Sequence, residues 1–292
     1  MDIKHLLHTV TLEVGPVQYI RTGDGPPLVL LHGWGGSSRY WLPTLAALAD
    51  TRTMYALDFP GFNGTQALST PATAERLAEV VLEFAEVEGL TQFDLAAHSF
   101  GASVAALVAA RAPEQVRRVV LVSFGLLADE MGRSLLELLQ RPAALGLSLW
   151  YPWLNITAPI LNSVQPVMAG VMSASPLPQL LSAWFLEQAP AEQALIHEGL
   201  SDLASMDLRA HLACLASVGD PAITAGLSAI SAPTLLITGR QDRVAPPDTS
   251  AAVAGLLPQA KAEVLERCGH VPMFEQPEAF HAMVREFLCR EA

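Results

Sequence analysis

The sequence predicts an α/β fold, a mostly parallel central sheet of about eight strands flanked by helices, with a mainly helical cap inserted after the sixth strand. Three observations predict it. Short apolar runs of strand length alternate with longer stretches of helical period; a stretch of alternating polarity precedes them; and the alternation stops after Ser123, to resume near Ala232-Pro233. Strands that read as continuous apolar runs are buried on both faces, which requires crossover helices on both sides of a parallel sheet.

Taken in order, Val10 to Tyr19 holds two short alternating runs broken at Gly15-Pro16, the pattern of an N-terminal hairpin. Pro27–Leu31, Thr53–Leu57, Phe93–Ala97, Arg118–Val122, Thr234–Thr238 and Ala262–Leu265 follow as buried strands, with helix-period segments between most of them. The interruption divides the chain into a core of residues 1–124 and 223–292 and a cap of residues 125–222. Within the cap no Asp, Glu, Lys or Arg occurs from Pro142 to Leu186, whereas Trp150, Tyr151, Trp153, Met168, Met172, Trp184 and Phe185 do. A membrane span needs roughly 20 continuous apolar residues, and Pro152, Pro159, Pro166, Pro176 and Pro178 with Asn155, Asn162 and Gln165 interrupt every candidate. Packing against the core, lining of an apolar tunnel, and weak contact with a membrane surface are the roles open to this tract.

Bulk composition narrows the function. Of 292 residues, 51% are hydrophobic and 16% charged, which fits a globular chain with much apolar surface and argues against disorder. The net charge of -12 and pI near 5.0 exclude a nucleic-acid partner, because such affinity rests on Lys and Arg displacing counterions. Cys214, Cys268 and Cys289 are odd in number and lack C-x-x-C spacing, so they read as free thiols rather than a disulfide framework or structural zinc site. His5, His8, His197, His211 and His281 share no metal-ligand spacing, and neither metal nor cofactor is expected. The segment Met1 to His8 has an early acid and no apolar core before a small-residue cleavage site, so a cytoplasmic setting is expected.

The chemistry is concentrated in four motifs. Ala97-His98-Ser99-Phe100-Gly101 ends an apolar run and opens the helical segment Ala102–Ala110. A serine on a tight strand-to-helix turn needs small residues two positions before and after it, which Ala97 and Gly101 supply. His32-Gly33-Trp34-Gly35-Gly36 follows the run Pro27–Leu31, and its glycines let backbone approach a ligand. Amides of Trp34 and Phe100 are the two donors that an oxyanion would need. His32, at a strand end beside a glycine turn, is expected to order that loop. Gly239-Arg240-Gln241-Asp242 and Cys268-Gly269-His270-Val271-Pro272 lie just past two further strand candidates. Since the carboxyl ends of parallel strands share one edge, Ser99, Asp242 and His270 can meet there. A neutral imidazole can take the serine proton while a carboxylate on its other nitrogen fixes the tautomer. His98 is expected to point away from this site along the strand alternation, and Glu275 and Glu278 read as acids at a helix N-terminus.

These segments, with Asp58 to Thr65 (DFPGFNGT) and CGHVPMFEQPEAF, occur in the order and spacing of the α/β-hydrolase family, which the chain resembles outside the cap. The resemblance implies Ser99 as nucleophile, Asp242 as acid and His270 as base, with Trp34 and Phe100 as oxyanion donors. Ala97 replaces the usual first glycine, and Ala102 stands where a second is frequent; neither removes chemistry. Haloalkane dehalogenases and epoxide hydrolases of this family use an aspartate in place of Ser99. Hydrolases of carbon–carbon bonds commonly carry an aromatic residue where this chain has Val271. HGWGG and DFPGF look similar to motifs of small carboxylesterases, including enzymes acting on acyl carriers, although only Lys4 and Lys261 are lysines here. The expectation is a serine hydrolase cleaving carboxylic esters of small to medium apolar substrates through an acyl-enzyme, with Trp34, Phe100, Trp150, Trp153, Trp184 and Val271 binding the substrate. A carbon–carbon hydrolase or thioesterase on the same triad is the alternative, and a hydrolase-like small-molecule receptor is the alternative of another class.

Overall fold

The structure, a computed structural model, describes residues 5–126, 145–147, 149–160, 162–165, 167, 170, 183–188 and 194–290. Its centre is one eight-stranded sheet of order β1-β2-β4-β3-β5-β6-β7-β8. The strands are β1 (Leu7–Leu12), β2 (Gly15–Thr22), β3 (Pro27–Leu31), β4 (Thr53–Leu57), β5 (Phe93–His98), β6 (Val116–Val122), β7 (Thr234–Gly239) and β8 (Ala260–Leu265). β2 runs antiparallel to both β1 and β4, and every later pairing is parallel.

Period-two alternation along the central strands builds a core on each side of the sheet. Val29, Leu31, Leu95, Ala97, Val119 and Leu121 face one cluster, under α2 (Ala74–Val87) and α3 (Phe100–Arg111). Leu28, Leu30, Ala96, Val120, Val122 and Ile237 face the other, where Trp41, Leu45, Phe280 and Val284 bring in α1 (Leu42–Leu48) and a C-terminal helix. α2 is amphipathic and starts where the Thr73 hydroxyl accepts the Arg76 amide, a side-chain N-cap. α3 is buried on nearly all sides, and its many alanines let it lie close to the sheet.

Three sequence expectations shift at their edges, the first being β6, which begins at Val116 rather than Arg118. The hairpin turns at Glu13-Val14 rather than at Gly15-Pro16, because Leu12 pairs with Gly15 and leaves two residues for the loop. Pro16 sits opposite Thr11 near the start of β2, where a missing amide is tolerated. β8 begins at Ala260, two positions before the apolar run, because an edge strand leaves Lys261 and Glu263 facing solvent on one side.

Between β6 and β7 the described residues are mainly helical: residues 149–160, then α4 (Ala194–Ser205), α5 (Leu208–Ser217) and α6 (Pro221–Leu227). Met168 and Met172 lie outside the described residues. The stretch 149–160 turns Tyr151 and Ala158 inward, with Asn155 donating to the Ser69 carbonyl at 3.0 Å. Helical spacing then turns Leu149, Trp153, Ile156 and Ile160 outward, each more than 60% exposed. Beyond β7 come α7 (Pro247–Ala254), the short α8 (Pro272–Glu275) and α9 (Pro277–Cys289). Cys214 and Cys268 are buried thiols and Cys289 is exposed. Among the described residues no helix is long and apolar enough to cross a membrane.

Candidate active site

The parallel strands β3, β5, β7 and β8 all deliver their carboxyl ends to one rim, and each chemical motif begins there. Ser99 joins β5 to α3 with φ +53°, a left-handed conformation that a non-glycine residue adopts only under surrounding constraint. The constraint is visible at Gly101, where a Cβ would stand 2.3 Å from the His32 carbonyl oxygen and 2.8 Å from that of Leu31. Gly33 packs beside the serine, where a Cβ would stand 3.1 Å from the Ser99 Cβ. Phe100 opens α3, so its N–H lies in the first helical turn, which has no intrahelical acceptor.

The structure brings Ser99, His270 and Asp242 together. Ser99 Oγ and His270 Nε2 are 2.9 Å apart, and His270 Nδ1 stands 3.0 and 2.9 Å from the two Asp242 oxygens. With the ring neutral, Nδ1–H donates to the carboxylate and Nε2 is left to accept the serine proton. Asp242 Oδ1 also accepts the amides of Val244 and Ala245, both at 2.8 Å. Burial opposes ionisation of Asp242, but the His270 hydrogen bond and charge, with these two amides, outweigh it and hold the carboxyl below its ordinary range.

His32 orders the neighbouring loop. Its Nε2 accepts the Phe59 amide at 3.1 Å, so Nδ1–H donates to the Gly33 carbonyl at 2.8 Å. Burial, against a smaller opposing contribution from that carbonyl, lowers its pKa to about 4, so the ring is neutral at physiological pH. The turn that follows is held by two buried carboxylates. Asp58 accepts the Ser38 amide at 2.6 Å and Asp202, from α4, accepts Ser37 Oγ and Arg39 Nη2.

Above Ser99 lies a cavity of about 500 Å³, lined by Trp34, Phe100, Trp184 and Val271 among the residues expected there. Phe124, Leu200, Leu203 and Phe274 complete much of its wall. No Asp, Glu, Lys or Arg lines it among the described residues. Trp150 and Trp153 are elsewhere: they are 63% and 62% exposed on the outer side of the stretch 149–160, because Tyr151 and Ala158 take its inward positions.

Two further residues attach to the histidine loop. His98 does not point away; its Nε2–H donates to the His270 carbonyl at 2.8 Å, and burial first, then the nearby His270, lower its pKa to about 3. The alternation itself holds, since His98 shares the face of Ala96 and pairs with Val122, but that is the face on which the His270 loop packs. Glu275 lies in the first turn of α8 as expected, but its carboxylate is buried and accepts the amides of Gly269 and Val271 on either side of His270. The close run of GHVPMFE in sequence was the one available signal for that contact.

Fold, rim and relay define a class, and the family model described as the alpha/beta hydrolase family matches residues 28–283. The chain belongs to the α/β-hydrolase family. It is similar to a pimeloyl-acyl-carrier-protein methyl ester esterase of Nitrosomonas europaea, 27% identical over 89% of this chain and 94% of that one. It is also similar to a 2-hydroxymuconate semialdehyde hydrolase of Pseudomonas sp. (strain CF600), 27% identical over 92% of this chain and 88% of that one. Among solved structures, a bacterial membrane phospholipase A described as a virulence factor superposes with a TM-score of 0.72, at 26% identity over 97% of this chain and 85% of that one.

Proposed function

We propose that this protein is a serine carboxylesterase acting on small to medium apolar esters through an acyl-enzyme. The observation that carries the reading is the unbroken relay Asp242–His270–Ser99, with heavy-atom separations of 2.9 Å at both joints. In this reading Ser99 Oγ attacks the ester carbonyl carbon as its proton passes to His270 Nε2, and Asp242 stabilises the imidazolium. The oxygen that gains negative charge is received by the amides of Trp34 and Phe100. Collapse breaks the bond to the alkoxy group, which leaves with the proton from His270. A water molecule then repeats the attack, and the acid departs as Ser99 regains its hydrogen. The uncharged cavity wall favours a neutral substrate, and the esterase among the relatives agrees with ester chemistry. The three free thiols fit the reducing, cytoplasmic setting that belongs to the same reading.

Residues 125–222 act in this proposal as a cap. Trp184, Phe185, Leu186, Leu200 and Leu203, which line the cavity, all come from that segment. The test is Ser99→Ala: turnover of a short p-nitrophenyl ester and labelling by a fluorophosphonate are both lost while the circular dichroism spectrum is unchanged. Labelling without turnover across a broad ester and thioester panel would favour the receptor alternative.

One observation favours a second role for the cap. Leu149, Trp153, Ile156 and Ile160 form a solvent-facing apolar stripe in a tract without charges, and Trp is at home at lipid–water boundaries. Weak contact with a neutral lipid surface follows, since the net charge of -12 is repelled by anionic lipid. Co-sedimentation with phosphatidylcholine vesicles checks it: a fraction of the wild-type chain pellets, and Trp153→Ser with Ile160→Ser pellets less. Protein wholly in the supernatant ends this reading.

A further inference from the structure

Every backbone amide around His270 is tied down. The His270 N–H donates to the Phe185 carbonyl at 2.7 Å, and its own carbonyl accepts from His98. The amides on both sides, Gly269 at 2.9 Å and Val271 at 3.1 Å, donate to the two oxygens of one carboxylate, that of Glu275. The same carboxylate accepts Glu187 N–H at 2.7 Å and Gln188 N–H at 3.0 Å, from the segment whose Leu186 walls the cavity. Four amide dipoles thus converge on the carboxylate of a residue only 7% exposed, and among the described residues no cation pairs with it. Gly269 is compressed into this knot: a Cβ there would stand 2.7 Å from the Phe185 oxygen and 2.8 Å from the Glu187 nitrogen.

We propose that Glu275 is a positioning residue for His270, a carboxylate that fixes the imidazole between Asp242 and Ser99 by clamping both flanking amides to the cap segment 187–188. The proposal rests on the assignment of Ser99 and His270 given above. His270 is on a loop, and a loop holds a ring to a fraction of an ångström only if its own backbone is held. A carboxylate can accept at both oxygens, whereas the isosteric amide of E275Q must turn an N–H₂ toward at least one amide donor.

Fluorophosphonate labelling of Ser99, followed to completion, separates positioning from scaffolding. The final stoichiometry counts molecules with a folded site, and the rate constant measures how well His270 activates the hydroxyl. E275Q is expected to reach the wild-type stoichiometry with a rate constant about 10- to 100-fold lower, the size of effect a small misplacement of reacting groups produces. Its kcat for a p-nitrophenyl ester falls by the same factor. Fewer labelled molecules, each reacting at the wild-type rate, would overturn the proposal. Should E275Q fail to fold, E275D, whose arm is one methylene too short to reach the Gly269 and Val271 amides and the 187–188 amides together, serves the same measurement, and a wild-type rate constant there also overturns it. If the wild-type chain itself does not label, the assignment of Ser99 falls, and the proposal with it.

Discussion

At the scale of single residues, Asp242 sits where burial and hydrogen bonding pull in opposite directions, and the hydrogen bonds prevail. Its folded-state pKa lies below the unfolded carboxylate value of about 3.9. The group therefore contributes stability that is present above that value and lost as pH falls through the lower folded one. Asp242→Asn keeps the shape but, with its amide oxygen held by the Val244 and Ala245 amides, turns an N–H₂ toward His270 Nδ1 and no longer selects the Nδ1–H tautomer, so kcat should drop on the order of 10³- to 10⁴-fold. The same variant should lose part of the stability that separates wild type at pH 5 from wild type at pH 3. Ester kinetics and urea unfolding across that range check both. Residue identity made this much readable in advance, because few side chains can polarise an imidazole. Sequence did not reveal the roles of Glu275 and His98, since a buried carboxylate that, among the described residues, accepts from backbone amides and pairs with no cation has no charged partner to betray it.

At the scale of elements, the strand–serine–helix turn depends on how near α3 comes to β3. The Gly101 position has backbone oxygens within 3 Å of any added Cβ, and backbone cannot rotate aside as a side chain can. Gly101→Ala should destabilise by about 1–3 kcal/mol, the range for overpacking a tight interior, and should slow fluorophosphonate labelling because relief requires α3, and Phe100 with it, to move. Thermal unfolding paired with labelling rates tests this. The central strands were legible to within a residue or two because they are buried on both faces and so are apolar over most of their length. Edge elements were less so. β8 shows polar residues to solvent, and the first hairpin is set by pairing register rather than by its glycine-proline pair.

At the scale of the whole molecule, the sheet brings distant segments to a common rim, and that convergence followed from topology alone once parallel strands were inferred. The orientation of the segment between β6 and β7 did not. An apolar tract without charges gives no polar face from which to infer the buried one, so Trp150 and Trp153 looked like pocket residues although Tyr151 and Ala158 hold the inward positions. Asp202 shows how this segment joins the core: α4 reaches the Ser37–Arg39 turn that follows Trp34. A displacement of α4 would thus be felt at the loop proposed to receive the oxyanion.

The cavity wall carries no formal charge among the described residues, on a molecule of net charge -12. Ionic strength then acts on the two halves of a substrate's path differently. A neutral ester meets neither long-range repulsion outside nor an ion pair inside, so its KM should hardly change from dilute buffer to molar salt. An anionic ester is repelled by the surface before it reaches the mouth, and added electrolyte, by shortening the reach of that field to a few ångströms, should admit it more readily. Salt would therefore broaden the range of esters accepted without altering the preferred ones.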